Sequence, residues 1–241
     1  MYVYLANNDK ENGLNPIDSD YARAFVAMTV QEAEAEGVRS DVAFCLMMHE
    51  TGFLNFGGDV DPSQNNFGGL GATGGGAPGA SFENARLGIR GVVQHLKCYA
   101  TDESLNQPLS DPRWSDALRG RAKYVEWLGY EDNPTQTGWA MPGKGYGERI
   151  VSMISEAQSV DTSGVAAFSI AEYDPSQPDP FQSVGKAPEE GQSGENGEEE
   201  GPKRFPFSLL ELNAKNLINF AAAFLVFLCI VFIGRFRSKY I

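Results

Sequence analysis

The stretch Ser40-Asp41-Val42-Ala43-Phe44-Cys45-Leu46-Met47-Met48-His49-Glu50-Thr51-Gly52 decides how this chain of 241 residues folds. Residues 42–48 are apolar on every side of a helix, with no polar stripe to turn towards water. A helix of that kind is buried among others rather than laid on a surface. Ser40 is a cap-type residue at its start, and Gly52 lies where a left-handed residue would stop it. The pattern predicts a central helix with an acid, Glu50, at its C-terminal end.

Working outward, Asp18, Ser19 and Asp20 precede Tyr21, Phe25 and Met28 at helical spacing, which predicts an amphipathic helix ending near Gly37. Residues 59–80 are rich in Gly and Asn and poor in large side chains, so they read as loops with at most short strands. Helical spacing resumes at Ala85, with Ile89, Val92, Val93, Leu96 and Tyr99 on one side. Shorter helical pieces are expected at 114–118 and 124–128, and a last helix at 146–160 burying Ile150, Met153, Ile154 and Ala157. Helices around one central helix, interrupted by a small loop-rich lobe, give a mainly α, lysozyme-like (α+β) layout.

Composition divides the chain further. Residues 1–160 hold all three tryptophans and enough apolar side chains for a core. Residues 161–205 include a run of Glu among Gly, Ser, Pro and Gln that cannot offset its ordering entropy by burial, so they are expected to be a disordered acidic linker. Residues 206–241 read as a membrane anchor. Within them the uncharged run at 217–234 would make about 27 Å of helix, close to one bilayer crossing. Arg235, Arg237 and Lys239 follow it directly, which favours a cytoplasmic tail and a domain outside the cell. The first residues carry no basic stretch and no sustained apolar run, so no signal peptide is read.

The net charge of −13 comes largely from the linker and argues against a nucleic-acid partner. Cys45, Cys98 and Cys229 lack metal-ligand spacing and read as free thiols, with a Cys45 to Cys98 bridge open to an exported domain. His49 and His95 are the only histidines and have no third ligand at suitable spacing, so neither a metal nor a cofactor is expected.

Breaking a glycosidic bond needs a protonated carboxyl beside the leaving oxygen at neutral pH, and apolar surroundings favour that neutral form. Glu50 fits on both counts, because it ends an apolar helix whose C-terminal dipole also disfavours negative charge. Asp59, Asp61 and Glu83 are the candidates for a second acid, with Asp59 preferred. Trp114, Trp127 and Trp139 could stack on sugars, though core packing is the commoner role for such residues.

Several motifs occur in one order: Glu50-Thr51-Gly52, Asn65-Asn66-Phe67-Gly68-Gly69-Leu70-Gly71, Gly88-Ile89-Arg90, Gln94-His95-Leu96-Lys97, Asp111-Pro112-Arg113-Trp114, Gly138-Trp139-Ala140 and Gly145-Tyr146-Gly147. Over roughly residues 24–154 they resemble the glucosaminidase family of bacterial peptidoglycan hydrolases, endo-β-N-acetylglucosaminidases with a lysozyme-like fold. The resemblance implies that Glu50 is the general acid and that Tyr146 assists it or holds the sugar beside the cleaved bond. It also implies that Asn65, Asn66, Phe67 and Gly68 line the cleft, and Trp139 is assigned to sugar binding with them. Where the family carries a second acid after the Asn-Phe-Gly motif, this chain reads Thr73-Gly74-Gly75-Gly76. That departure leaves open a route in which the substrate's own N-acetyl oxygen attacks the anomeric carbon. The expected function is a membrane-anchored hydrolase of peptidoglycan glycan strands. The alternatives are a lytic transglycosylase and a non-catalytic glycan-binding module of an envelope assembly.

Overall fold

The structure is a computed structural model that describes residues 1–11 and 19–170. Its helices are α1 (Tyr2–Glu11), α2 (Ser19–Glu36), α3 (Ser40–Thr51), α4 (Ala85–Ala100) and α5 (Tyr146–Ser159), with 3-10 turns at Pro62–Gln64 and Val125–Leu128. The central helix of the sequence is α3, packed against α2, α4 and α5. Val42, Ala43, Phe44, Cys45, Leu46, Met47 and Met48 are all buried, as continuous apolar character requires. Gly52 stops the helix in the left-handed region, its φ of 57° suiting glycine, and its amide donates to the Met48 carbonyl.

Ser40 is the first residue of α3 rather than its cap. Arg39 occupies the cap position without a side-chain bond, and Asp41 in the first turn accepts from the Val42 amide and pairs with Arg39 at 2.6 Å. Arg39 also holds the Asp41 carboxyl below its ordinary value.

Two ionic clamps fasten α4 to α2. Glu32 accepts from Arg86 at 2.7 Å and Arg90 at 2.8 Å. One turn on, the buried Glu36 accepts from Lys97, Gln94 and the amides of Asn106 and Gln107. Burial alone would raise the Glu36 carboxyl, but the Asn106 amide, Gln94 and Lys97 together hold it below its usual value.

The loop-rich lobe contains no strand; among the described residues the β component is limited to isolated bridges, Gly74 with Ala77 and Gly129 with Ala140. Side-chain amides do the work of a sheet there. Asn66 accepts from the Leu70 amide and donates to the carbonyls of Leu70 and Ala80, while Gln64 bonds Asp61, Pro78 and Ala80.

Three expectations change. The N-terminal residues form α1, which the sequence reading missed. Its Tyr4 and Leu5 enter the core, and the Tyr4 hydroxyl donates to Glu156 of α5 at 2.8 Å. Residues 114–118 are turns instead of a helical piece, because the chain must reverse so that the Gly120 and Ala122 amides reach the carbonyls of Cys98 and Tyr99. The packed chain also runs past the Val160 boundary to Ile170, whose carbonyl accepts from Gln31 while Phe168 meets Tyr2 edge-on. Cys45 and Cys98 are buried free thiols, and burial pushes Cys45 up to about 12.

By internal contacts the chain divides into Met1–Glu189 and Glu190–Ile241. The 217–234 segment lies outside the described residues. Among those described, no helix is long and apolar enough to cross a membrane.

Candidate active site

At the end of α3 the backbone makes an unusual exit. Phe53, Leu54 and Phe56 all have left-handed φ values, 58°, 65° and 58°, a conformation non-glycine residues seldom adopt. Thr51 stabilises this turn, its hydroxyl donating to Met47 and accepting from the Leu54 amide. Such strain is held in place only where the surroundings over-determine it, commonly beside functional groups. Here the turn carries Phe56 into the wall of a cleft that Glu50 also lines.

The cleft has a volume of about 310 Å³ and is open along one side. Asp59 and Gly58 come from the loop after the strained turn, Gly68 and Gly69 from the Gly-rich lobe, and Trp139 and Ala140 from the segment before α5. The Tyr146 hydroxyl, from the first residue of α5, donates to Glu50 Oε1. The other carboxylate oxygen, Oε2, lies beside Gly69, where a Cβ would come within 3.6 Å of it. Glu50 therefore has one oxygen held by protein and one beside the lining of the cleft.

Solvent reaches Glu50 through the open side, yet the protein around it removes enough water to disfavour its charge. Crowding, rather than contact with water at one edge, sets the cost of ionisation. Burial raises the Glu50 carboxyl above its ordinary 4.5, and the bond from Tyr146 pulls in the opposite direction. The Tyr146 phenol is itself driven well above 10 by burial, by the charge of Glu50 and by donating to it. The His49 ring meets Tyr146 edge-on at 5.2 Å, and burial followed by the Arg149 charge lowers its pKa, favouring a neutral ring.

Glu50 thus lines an open cleft with one carboxylate oxygen held by the Tyr146 phenol and its carboxyl pushed up by the surrounding protein. The family model described as mannosyl-glycoprotein endo-beta-N-acetylglucosaminidase, that of the Glucosaminidase family, matches residues 26–159. The chain belongs to the glucosaminidase family. That family is one of glycoside hydrolases. An uncharacterized protein of Borreliella burgdorferi is 38% identical over 113 residues, which cover 46% of this chain and 55% of that protein. The match thus spans about half the length of that curated relative. No solved structure matches.

Within this glucosaminidase domain, the residues expected to line the cleft separate into two groups. Glu50, Asp59, Gly68 and Trp139 line it. Asn66 and Phe67 do not. Phe67 is only 1% exposed and packs edge-on against Phe25, with ring centroids 5.0 Å apart, because an aromatic ring gains more from the core than from a wet groove. Asn66, equally buried, spends its amide on the lobe's backbone. Asn65 sits in the left-handed region and donates to the Phe82 carbonyl, outside the cleft lining. Of the other acids considered, Asp61 caps the Pro62–Gln64 turn and Glu83 is exposed elsewhere, so Asp59 is the one that shares the cleft with Glu50. Trp114 lies near Arg119, and Trp127 pairs with Tyr124. The sequence reading missed Phe56 and Gly69; a turn of left-handed residues leaves no local signature in residue types.

Gly68 is where lobe, α4 and Trp139 touch. A Cβ there would fall 2.7 Å from Val92 Cγ2 and 2.8 Å from Trp139 Cζ2. Gly68→Ala should therefore lose about 2 kcal/mol of stability by overpacking, read by denaturant unfolding. No loss would mean that the indole moves aside freely. Among the described residues no group of three or more metal-ligating side chains comes together.

Proposed function

We propose that this protein is an endo-β-N-acetylglucosaminidase that cuts peptidoglycan glycan strands, with Glu50 as general acid. The observation that carries the reading is the Glu50 carboxyl, bonded to Tyr146 and pushed up by the protein around it, in the lining of an open cleft. In its neutral form Glu50 gives the Oε2 proton to the bridging oxygen, and the bond between that oxygen and the anomeric carbon breaks. Tyr146 keeps Oε1 occupied, so the proton stays on the oxygen beside the sugar. Asp59 is the carboxylate we assign to activating the attacking water. The substrate's own N-acetyl oxygen can replace it, a route that needs no second acid. Trp139 and Phe56 offer apolar faces to pyranose rings, and Gly68 and Gly69 let the strand approach the backbone closely.

The uncharged 217–234 run, with Arg235, Arg237 and Lys239 after it, supports a single-span membrane anchor and a domain facing the cell wall. The acidic 161–205 segment would then be a tether of tens of ångströms' reach.

Incubating the full-length chain with purified peptidoglycan, followed by mass analysis of the products, tests the reading. Fragments ending in reducing N-acetylglucosamine are expected. A cyclised muramyl end, lighter by one water, would assign the chain to the lytic transglycosylases, a reading kept open because it needs Glu50 alone. No release of fragments would leave only glycan binding.

A further inference from the structure

Trp139 lines the cleft, and it also meets a buried group of α4 side chains that takes no part in the chemistry described above. The His95 ring stands edge-on to the Trp139 indole, with centroids 4.9 Å apart, and edge-on to Tyr99 at 5.0 Å. His95 Nδ1 bonds Asp111 Oδ2 at 2.9 Å, and both residues are buried. Asp111 is fixed in turn, because its amide and that of Ser110 donate to Gln94. One helical turn beyond His95, the Tyr99 hydroxyl donates to the carbonyl of Gly138, the residue before Trp139, at 2.7 Å.

These contacts solve a particular problem. Trp139 lies on a segment outside any helix, and its backbone is tied to the 128–130 segment through the amides of Trp139 and Ala140 to the Leu128 carbonyl and through the Tyr130 amide to the Ala140 carbonyl. Those bonds fix the chain but not the indole. Gly68 limits the ring on one side and His95 on another. Packing alone would be served as well by an aliphatic residue at 95, without removing a polar His and Asp from water. A polar pair kept in a dry place gives direction, which an aliphatic side chain does not.

We propose that His95 and Tyr99 are positioning residues for glycan binding: they hold the Trp139 indole as a fixed wall of the cleft, with Asp111 fixing His95. The inference rests on the cleft being the glycan site. An aromatic ring held in advance loses less freedom when a sugar closes on it, so its contribution to affinity depends on its supports.

The test measures binding of a soluble tetrasaccharide of alternating N-acetylglucosamine and N-acetylmuramic acid to the full-length chain carrying Glu50→Gln, so that turnover does not intervene. In that background Trp139→Ala should weaken Kd about tenfold, and His95→Gln or Tyr99→Phe about fivefold each. Once Trp139 is already Ala, the two α4 substitutions should change Kd no further, since residues acting through a shared partner are not additive. Equal weakening with and without Trp139, or no weakening at all, would overturn the proposal. Tyr99→Phe removes one oxygen only, so it carries the test alone should His95→Gln fail to fold. If the Glu50→Gln chain shows no binding, the glycan reading of the cleft falls, and this inference with it; binding that ignores the α4 substitutions sinks the inference alone.

Discussion

Glu50→Gln should lower the rate of glycan cleavage by about 10³-fold or more while leaving the protein folded and able to bind glycan. Glutamine keeps the shape of the side chain and an oxygen to accept from Tyr146, but it cannot deliver an acidic proton. The same substitution has a stability signature whose sign follows from burial. The folded-state pKa of Glu50 lies above the ordinary 4.5, so the folded protein holds this proton more tightly than the unfolded chain does. Its contribution is therefore most favourable below pH 4.5 and is lost as pH rises through the raised folded value. Against Glu50→Gln, the natural protein should lose relative thermal stability over that rise, and the gap should close in acid. Melting curves of the two proteins across pH check this. A gap that widens in acid, or a variant that retains cleavage, would remove Glu50 from the role of proton donor.

Tyr146→Phe should slow cleavage by about 10²-fold, since loss of the hydroxyl frees the Glu50 carboxyl to turn away from the bond it must protonate. Its effect on pH dependence is the sharper test. The hydrogen bond from Tyr146 favours the charged form of Glu50, opposing burial. Removing it raises the Glu50 pKa further, so the alkaline limb of the rate profile should move to higher pH while the maximal rate falls. Misplacement of the carboxyl without this bond would lower the maximum and leave the limb where it was. A limb that moves towards acid would contradict the direction in which the phenol acts.

How far the site could be read in the residue string depends on the range of the forces involved. The place of Glu50 at the tip of a buried helix was legible because its signal is local: seven consecutive apolar residues, 42–48, with Gly52 four residues beyond them. The Gly-rich lobe was legible for the same reason. Phe67 misled because its neighbours in sequence are loop residues, while its neighbours in space are Phe25 and Phe56. Asn66 misled in a related way, since an amide can satisfy either a sugar or the protein's own backbone, and only the absence of strands in the lobe turned it inward. The helix α1 escaped because Tyr2, Val3 and Tyr4 are poor local helix formers, and its stability comes from docking Tyr4 and Leu5 into the core.

By itself the sequence determined the central helix, its stop at Gly52, the acid at its tip and the family to which these motifs are similar, because caps, periodicity and glycine act over a few residues. Only the tertiary structure decided which groups meet that acid. Tyr146 reaches it from another helix and the cleft walls come from three separate segments, so the desolvation that raises the Glu50 carboxyl exists only once the chain has closed around it. Proximity between distant residues costs chain entropy that only the combined burial of the whole core can offset, and no local pattern encodes it.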